Sequence, residues 1–291
     1  MRIFITGGTG FIGQPLVKKL QERGHNLHLL SANLSEPEKW KKEIESFQPD
    51  VCIHLAWEGL PDYSVENSRK NINYSLDLLT FLADIGCKTI LSVGSTWEYK
   101  GRFPEGAIEG IIITKPADVF SVAKWIINLW GTAVVEEKNR HIENCKEELK
   151  FIWARIFFVY GPGQRETSLI PYLLNCAKIE KSPEIKNPSA ENDFIYIDDV
   201  TEAIAVLLEK SKKSGECDIG WGKLISNQEV INIVAQKLGR KDWYREVSSS
   251  EDRVSFSPVA DNKKLKEMGW EPKVGLEEGI QKMIDFYLSK S

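Results

Sequence analysis

The glycine-rich segment ITGGTGFIG, Ile5–Gly13, governs the architecture expected of this 291-residue chain. It overlaps the end of a short, apolar and β-branched run, RIFIT, at Arg2–Thr6. An amphipathic run follows at Gln14–Arg23, and Gly24 after it is typical of a left-handed helix C-cap. The pattern predicts a strand, a tight turn and a helix in direct succession.

Three glycines, Gly7, Gly10 and Gly13, stand where a dinucleotide-binding turn needs them. Gly7 permits the tight turn, Gly10 lets the backbone approach phosphates, and Gly13 lets the helix pack closely on the strand. The start of the helix then offers free N–H groups and its positive dipole end to a pyrophosphate. The loop therefore predicts a binding site for NAD or NADP, and the alternative is a glycine-rich turn without a ligand.

Apolar runs alternate with amphipathic runs through the first half of the chain, which predicts a parallel, doubly wound α/β sheet of the Rossmann type. Predicted strands are 2–6, 25–30, 50–56, 89–94 and 151–158, and predicted helices are 14–23, 37–47, 74–85 and 118–135.

The regular alternation of predicted strands and helices ends after Tyr160, where turn and loop signals precede shorter strands and helices. We expect a dinucleotide-binding domain over residues 1–160 plus roughly 193–217. A smaller, C-terminal substrate lobe is expected over roughly 161–192 plus 218–291.

The composition argues against several classes of protein. The net charge of −4 argues against a nucleic-acid partner, because proteins that bind nucleic acids usually carry an excess of basic residues. No apolar run is long enough to span a membrane. The five cysteines are odd in number and widely spaced, which argues against disulfides and a zinc site. The first predicted strand begins directly after Met1, so we expect no signal peptide and a cytoplasmic protein. We also expect no bound metal.

Several motifs in a fixed order resemble the extended short-chain dehydrogenase/reductase family. The loop spacing G-x-x-G-x-x-G resembles that of its nucleotide-sugar epimerases, dehydratases and reductases, and the resemblance covers nearly the whole chain. The further motifs are DVCIHLAW (Asp50–Trp57), VYGPG (Val159–Gly163), DFIYIDDV (Asp193–Val200) and, near the C-terminus, ADNKKLKEMGWEP (Ala260–Pro272). The motif VYGPG, the C-terminal motif and the run IPYLLNC look particularly like those of reductases of the CDP-abequose synthase type.

The resemblance implies a nicotinamide dinucleotide cofactor. An NAD enzyme normally carries an acid at the end of the second strand, but LLSAN, Leu29–Asn33, has none there. Because no carboxylate would repel a 2′-phosphate, NADP is slightly favoured over NAD. The cofactor-binding residues implied are Gly7, Thr9, Gly10, Phe11, Ile12, Gly13, Ser31, Asn33, Leu34, Leu55, Ala56, Trp57, Lys124 and Phe157.

The resemblance also implies a catalytic Ser or Thr, a Tyr, and a Lys four residues after the Tyr. Hydride transfer at a carbonyl or alcohol carbon needs a group that moves a proton on the attached oxygen. In GSTWEY, Ser95 stands at the position of the catalytic Ser or Thr, and Thr96 is the next residue. The downstream match is FSVAK, which keeps Lys124 but has Phe120 at the tyrosine position.

Phenylalanine cannot donate or accept a proton, so either another group serves or the chain has lost the usual chemistry. The candidates for that group are Tyr99, Asp118, Tyr63 and a bound water.

Residues that we expect to contact the substrate include two arginines, because guanidinium suits phosphate. The full set is Ser95, Thr96, Phe120, Arg165 and Arg253. The leading hypothesis is an enzyme that reduces, epimerises or dehydrates a nucleotide-activated sugar, with 4-keto-sugar reduction favoured. The alternative is a non-catalytic NAD(P)-binding sensor or partner subunit.

Three smaller features have structural interpretations. His54 lies in an apolar run, which favours a hydrogen-bonded core histidine over a catalytic one. Trp125 and Trp130, on an amphipathic helix, indicate a core or a homodimer face. Asp198 and Asp199 stand at a predicted helix start, where acids complement the helix dipole rather than bind a metal.

Overall fold

The computed structural model describes residues 1–99, 118–141, 147–240, 243–247 and 257–288. The chain divides into two compact units. Unit 1 comprises Met1–Ile156 and Thr201–Asp218, and unit 2 comprises Phe157–Val200 and Ile219–Ser291.

The strands and helices alternate most regularly in unit 1. The strands are β1 (Arg2–Thr6), β2 (Asn26–Leu29), β3 (Val51–His54), β4 (Thr89–Ser95), β5 (Lys150–Ile156), β6 (Phe158–Tyr160), β7 (Glu184–Ile185), β8 (Glu191–Asn192), β9 (Phe194–Tyr196), β10 (Gly215–Ile219), β11 (Ile225–Ser226) and β12 (Arg245–Glu246). The helices are α1 (Gly13–Glu22), α2 (Pro37–Phe47), α3 (Val65–Asp84), α4 (Val119–Arg140), α5 (Leu169–Lys178), α6 (Ile197–Lys210), α7 (Asn227–Lys237), α8 (Lys263–Glu267) and α9 (Leu276–Leu288), with a 3-10 turn at Thr96–Tyr99.

Unit 1 is built on a six-stranded sheet in the order β10-β5-β4-β3-β1-β2. The pairs β1–β2, β1–β3, β3–β4 and β4–β5 are parallel. From β1 the chain goes to β2 on one side and returns to β3 on the other, so the strand order reverses at β1 and β3. In open parallel sheets, ligands bind outside the carboxyl ends of the strands at such a reversal. The prediction of a Rossmann-type α/β sheet is confirmed.

The core of unit 1 explains why these segments form these elements. Ile3, Phe4 and Ile5 of β1 are fully buried, as expected of a central parallel strand covered on both faces. Leu16 and Leu20 are four residues apart on α1 and are buried on one face of that helix.

Two predicted elements differ from the structure. The helix predicted at 74–85 begins nine residues earlier, at Val65, because Ser64 caps it by accepting a hydrogen bond from the Asn67 N–H. The first half of this helix is largely polar and therefore lacks the apolar periodicity on which the prediction was based. The strand predicted at 151–158 is two strands: β5 ends at Ile156 in the large sheet, and β6 pairs with β9.

The described part of unit 2 contains the two-stranded sheets β6–β9, β7–β12 and β8–β11, together with the mutually packed helices α5, α7 and α9. Asp199 lies in the first turn of α6, as predicted, and its buried carboxylate accepts hydrogen bonds from the Lys273 and Val274 N–H groups. Within the described ranges, no cluster of three metal-ligating side chains occurs. The helices of those same ranges include none long and apolar enough to cross a membrane.

Candidate active site

The glycine loop joins the end of β1 to the start of α1. Gly7 has a φ of +72°, and a Cβ there would lie 2.8 Å from the Ala56 nitrogen. A Cβ at Gly13 would overlap the carbonyl oxygen of Gly7, so the close packing of helix on strand requires glycine. The Gly10 N–H closes the turn by donating to the Gly7 carbonyl at 3.0 Å. A Cβ at Gly10 would meet only that same oxygen, at 3.2 Å, which leaves its other side open.

The first turn of α1 is suited to an anion. Ile12 occupies the N-cap position, no side chain caps the helix, and no acidic residue lies in its first turn. The orphan N–H groups and the positive end of the helix dipole therefore have no competing protein carboxylate there. With the glycine turn, this arrangement fits a dinucleotide pyrophosphate. Thr9, Phe11 and Ile12 lie in this same turn.

The end of β3 lies beside the glycine loop. The Leu55 N–H donates to the Thr6 carbonyl at 3.1 Å, and the Ala56 N–H donates to the Thr6 hydroxyl at 3.3 Å. His54 is buried, with Nδ1 2.7 Å from the Thr6 hydroxyl and Nε2 3.0 Å from that of Ser75. Burial, together with the nearby Lys124, lowers the pKa of His54 to about 3. The interpretation of His54 as a hydrogen-bonded core residue is confirmed.

Ser95 is the last residue of β4 and lies at the same edge of the sheet. Its N–H donates to Glu98 Oε1 at 2.7 Å, and its hydroxyl oxygen accepts from the Trp97 N–H at 3.2 Å. Thr96 is buried, and within the described part of the chain its hydroxyl has no hydrogen-bond partner. The turn that follows β4 is therefore held by the Glu98 carboxylate, and the Ser95 hydroxyl oxygen is bonded within that turn.

Lys124 lies on the second turn of α4, and its ammonium is buried. Its Nζ donates to the Val93 carbonyl of β4 at 3.0 Å and lies 4.5 Å from the ring centroid of Trp57. Burial lowers the pKa of Lys124 to about 8, although the charge of Glu98 opposes that shift. The structure thus brings Lys124 to the strand that ends in Ser95 and to the ring of Trp57.

Phe120 lies one helical turn before Lys124, inside an aromatic cluster of Trp57, Tyr63, Trp97 and Phe120. Its ring centroid is 4.9 Å from that of Trp57, 5.1 Å from that of Tyr63 and 5.7 Å from that of Trp97. Only 8% of Phe120 is exposed. The indole N–H of Trp57 is buried, with no hydrogen-bond partner in the described part of the chain.

Two of the candidate replacements for the tyrosine hydroxyl make hydrogen bonds to other groups of the protein. Tyr99 donates its hydroxyl to the carboxylate of Asp218 at 2.9 Å. Asp118 caps α4 by accepting from the Ser121 N–H at 2.7 Å. Tyr63 is the candidate whose ring packs directly on Phe120.

A buried charge network that no sequence motif predicts is centred on Arg155. Arg155 of β5 donates from Nε to Glu98 at 2.9 Å, binds Glu216, and lies 3.7 Å from Asp218. Its carboxylate partners raise the pKa of Arg155 against the effect of burial. An arginine inside the apolar run FIWARIFF was the available signal, because a charge there requires buried partners.

The remaining residues predicted to bind the cofactor or the substrate have the following contacts and positions. Ser31 hydrogen-bonds to Glu43 of α2, and the Asn33 side chain accepts from Ser35. Leu34 is buried in the core cluster that includes Trp40, and Phe157 is buried in unit 2. Arg165 is exposed in unit 2, and Arg253 lies outside the described residues.

The glycine turn and the parallel sheet, whose strand order reverses at β1 and β3, are those of a Rossmann-type dinucleotide-binding fold. The chain belongs to the NAD dependent epimerase/dehydratase family, whose model matches residues 3–220. The predicted resemblance is therefore confirmed.

Individual relatives agree with this assignment. The chain is 26% identical to CDP-abequose synthase of Salmonella muenchen in an alignment 303 positions long that covers 97% of each protein. It is 28% identical to dTDP-4-dehydro-6-deoxyglucose reductase of Escherichia coli in an alignment 323 positions long that covers 97% of this chain and 96% of that one. The fold is similar to that of UDP-glucose 4-epimerase of Thermotoga maritima, solved with UDP-glucose. Here the TM-score is 0.85 at 22% identity, over 100% of this chain and 99% of that one. These relatives are enzymes, which confirms the prediction of an enzyme class.

Proposed function

We propose that this protein uses a nicotinamide dinucleotide to modify a nucleotide-activated sugar by hydride transfer at a sugar carbon, and that it reduces a 4-keto-sugar. The family is NAD-dependent, and one relative is a reductase of a 4-dehydro-sugar nucleotide. The cofactor, when bound, supplies or accepts the hydride. The glycine turn would hold its pyrophosphate, and unit 1 would be the dinucleotide-binding part of the chain.

The observation that carries this proposal is the placement of Lys124 against β4. Its ammonium bonds to the Val93 carbonyl, two residues before Ser95, and lies over the ring of Trp57. A buried cation held on the strand that ends in Ser95 can stabilise charge that develops on a sugar oxygen. Ser95 would hydrogen-bond that oxygen and fix its position.

The proton itself needs a source other than Phe120. We assign it to Tyr63, because its ring is the phenol that packs on Phe120 and on Trp97, at 5.1 and 5.3 Å between centroids. Tyr99 is less suited because its hydroxyl is bound to Asp218. A water held by the same cluster is the alternative source.

The decisive experiment measures NAD(P)H oxidation with a panel of 4-keto-sugar nucleotides for the wild type and three variants. We expect wild-type turnover and little change in Phe120→Tyr, because Tyr63 already moves the proton; a rise of up to about 10²-fold in Phe120→Tyr would instead show that no residue fills the role of the tyrosine. Tyr63→Phe should lower turnover by about 10²–10⁴-fold, the usual contribution of one general acid. Tyr99→Phe is the matched control, since it removes a phenol outside the aromatic cluster, and it should retain most of the activity.

Binding measurements separate inactivity from failure to bind. Thermal shifts with each cofactor and each nucleotide sugar report binding, because a ligand of the folded state raises Tm. Gly10→Glu should abolish the cofactor shift, since it places bulk and negative charge against the pyrophosphate. If both ligands bind but neither the wild type nor Phe120→Tyr turns over, the enzyme assignment is wrong, and the non-catalytic binder replaces it.

We also propose that unit 2 is a substrate-binding lobe, in which Arg165 binds phosphate. Arg165 is exposed before α5, and its guanidinium suits a diphosphate. A homodimer completes the proposal, because α4 exposes the apolar side chains of Ile126, Leu129 and Trp130.

A further inference from the structure

The end of β2 carries a carboxylate that comes from a different element. Glu43 of α2 reaches the segment after β2, where its Oε1 accepts from the Ser31 hydroxyl at 2.7 Å and from the Ala32 N–H at 3.1 Å. Its Oε2 accepts from the Ser31 N–H at 3.2 Å and lies 3.0 Å from His28 Nε2. A carboxylate has about four lone-pair positions, and these four contacts use them all.

This carboxylate is held as an anion. Burial alone would raise the pKa of Glu43, but the hydrogen bonds with His28 and Ser31 outweigh it, and the net pKa is lowered. About a fifth of the side chain remains exposed. The end of β2 therefore carries a fixed negative charge at neutral pH, although the segment LLSAN contains no acidic residue.

Glu43 also decides the hydrogen-bonding character of Ser31. The single proton of the Ser31 hydroxyl is donated to Glu43, so towards any other group the oxygen can only accept. The backbone N–H groups of Ser31 and Ala32 are taken by the same carboxylate. The exposed Ser31 thus presents to solvent an acceptor beside an anion.

These facts discriminate between the two nicotinamide dinucleotides, which differ at the 2′ position of the adenosine ribose. In Rossmann domains this position lies at the end of the second strand. A 2′-hydroxyl is a donor that an acceptor can bind, whereas a 2′-phosphate is an anion that needs donors and positive charge. We propose that Glu43, acting through Ser31, selects NAD(H) over NADP(H). The inference rests on the proposed function, and it reverses the NADP preference expected from the sequence.

The test is calorimetric titration of the full-length protein with NAD⁺ and with NADP⁺. We expect the wild type to bind NAD⁺ more tightly. Glu43→Gln should tighten NADP⁺ binding by about 10-fold, as expected on removing one charge near a partly solvated phosphate. Ser31→Ala should weaken NAD⁺ by about 5-fold, the loss of one hydrogen bond, and leave NADP⁺ no weaker.

Glu45→Gln is the matched control, because it removes the same charge from an exposed position two residues along α2. It should change neither affinity. If both dinucleotides bind the wild type equally, or if Glu43→Gln behaves like Glu45→Gln, this inference is overturned while the proposed function stands. If neither dinucleotide binds, the proposed function fails, and the selection by Glu43 fails with it.

Discussion

Lys124 is a buried cation whose charge is held by an aromatic ring and a backbone carbonyl. Its ammonium lies 4.5 Å from the Trp57 ring centroid and 5.8 Å from that of Phe120, and it donates to the Val93 carbonyl. An aromatic face attracts a cation most strongly when both are removed from water. The Trp57 face therefore offsets part of the desolvation that lowers the pKa of Lys124 to about 8. The Trp57 ring and the Val93 carbonyl together hold the charge of Lys124 against β4.

His54 makes a prediction about acid stability. Its pKa is about 3 in the folded protein, and about 6.5 in the unfolded chain. Between these values the unfolded state binds the extra proton, so the free energy of unfolding falls as the pH falls. From pH 7 to pH 5 this contribution amounts to about 2 kcal/mol. Urea unfolding at the two pH values should show His54→Gln losing that much less stability than the wild type.

The control is His141, whose side chain is 75% exposed. His141→Gln should keep the wild-type difference in stability between pH 7 and pH 5. If His54→Gln keeps it as well, His54 is not held neutral by its buried site.

At the scale of residues, the sequence predicts side chains that belong to ordered motifs and misses those whose roles depend on long-range contacts. Ser95 and Lys124 are recognisable because each occupies a fixed place in a motif. Glu98 and Arg155 are 57 positions apart, and Glu43 reaches Ser31 from the next helix, so no local pattern announces these pairs. Tyr63 likewise reaches Phe120 only after the chain has folded.

At the scale of elements, periodicity predicts those with strong apolar patterning and misses those without it. The helices predicted at 14–23 and 37–47 agree with α1 and α2 to within a residue. β10, GECDI, was not predicted, because two charged residues interrupt its apolar pattern. Those acids, Glu216 and Asp218, are the ones that face Arg155 of the adjacent strand β5.

The Arg155 network joins β5, β10 and the turn after β4, and it makes a prediction at this scale. Arg155→Met should lower the free energy of unfolding by about 3–5 kcal/mol, because it leaves the buried Glu98 without its hydrogen-bonded ion-pair partner. Urea denaturation measures the loss. Adding Glu98→Gln to Arg155→Met should recover part of it, since the uncompensated anion is then gone.

The exposed pair of Arg2 and Asp50 is the control for this network. Their charged groups are 3.9 Å apart, and 46% and 38% of the two side chains are exposed. Arg2→Met should therefore cost less than about 1 kcal/mol. Equal losses in Arg2→Met and Arg155→Met would contradict the assigned role of burial.

At the scale of the whole molecule, the order of the segments along the chain matters more than their local patterns. Each unit is assembled from two separate stretches, and β10 joins the large sheet 58 residues after β5 has ended. Such a return is a non-local contact that sequence periodicity does not report. Family motifs distributed over nearly the whole chain indicate the fold more directly, because they carry the order of its parts.

The homodimer is the prediction that belongs to this scale. On α4, Ile126, Leu129 and Trp130 are spaced at i, i+3 and i+4, so their exposed apolar side chains share one face. Leu129 is 70% exposed, an unfavourable arrangement that burial against a second copy would relieve. Sedimentation equilibrium should give a dimer for the wild type, and Leu129→Asp should shift it to monomer.

Ile179 provides the matched control, because it is a similarly exposed apolar side chain, at 68%, in unit 2. Ile179→Asp introduces the same charge and should leave the dimer intact, which separates a specific effect at α4 from a general gain in solubility. Two folded chains typically bury about 1,600 Å² in a stable interface, so a single central aspartate can break it. A wild type that stays monomeric at every concentration, or an equal response of both variants, would exclude α4 as the dimer face.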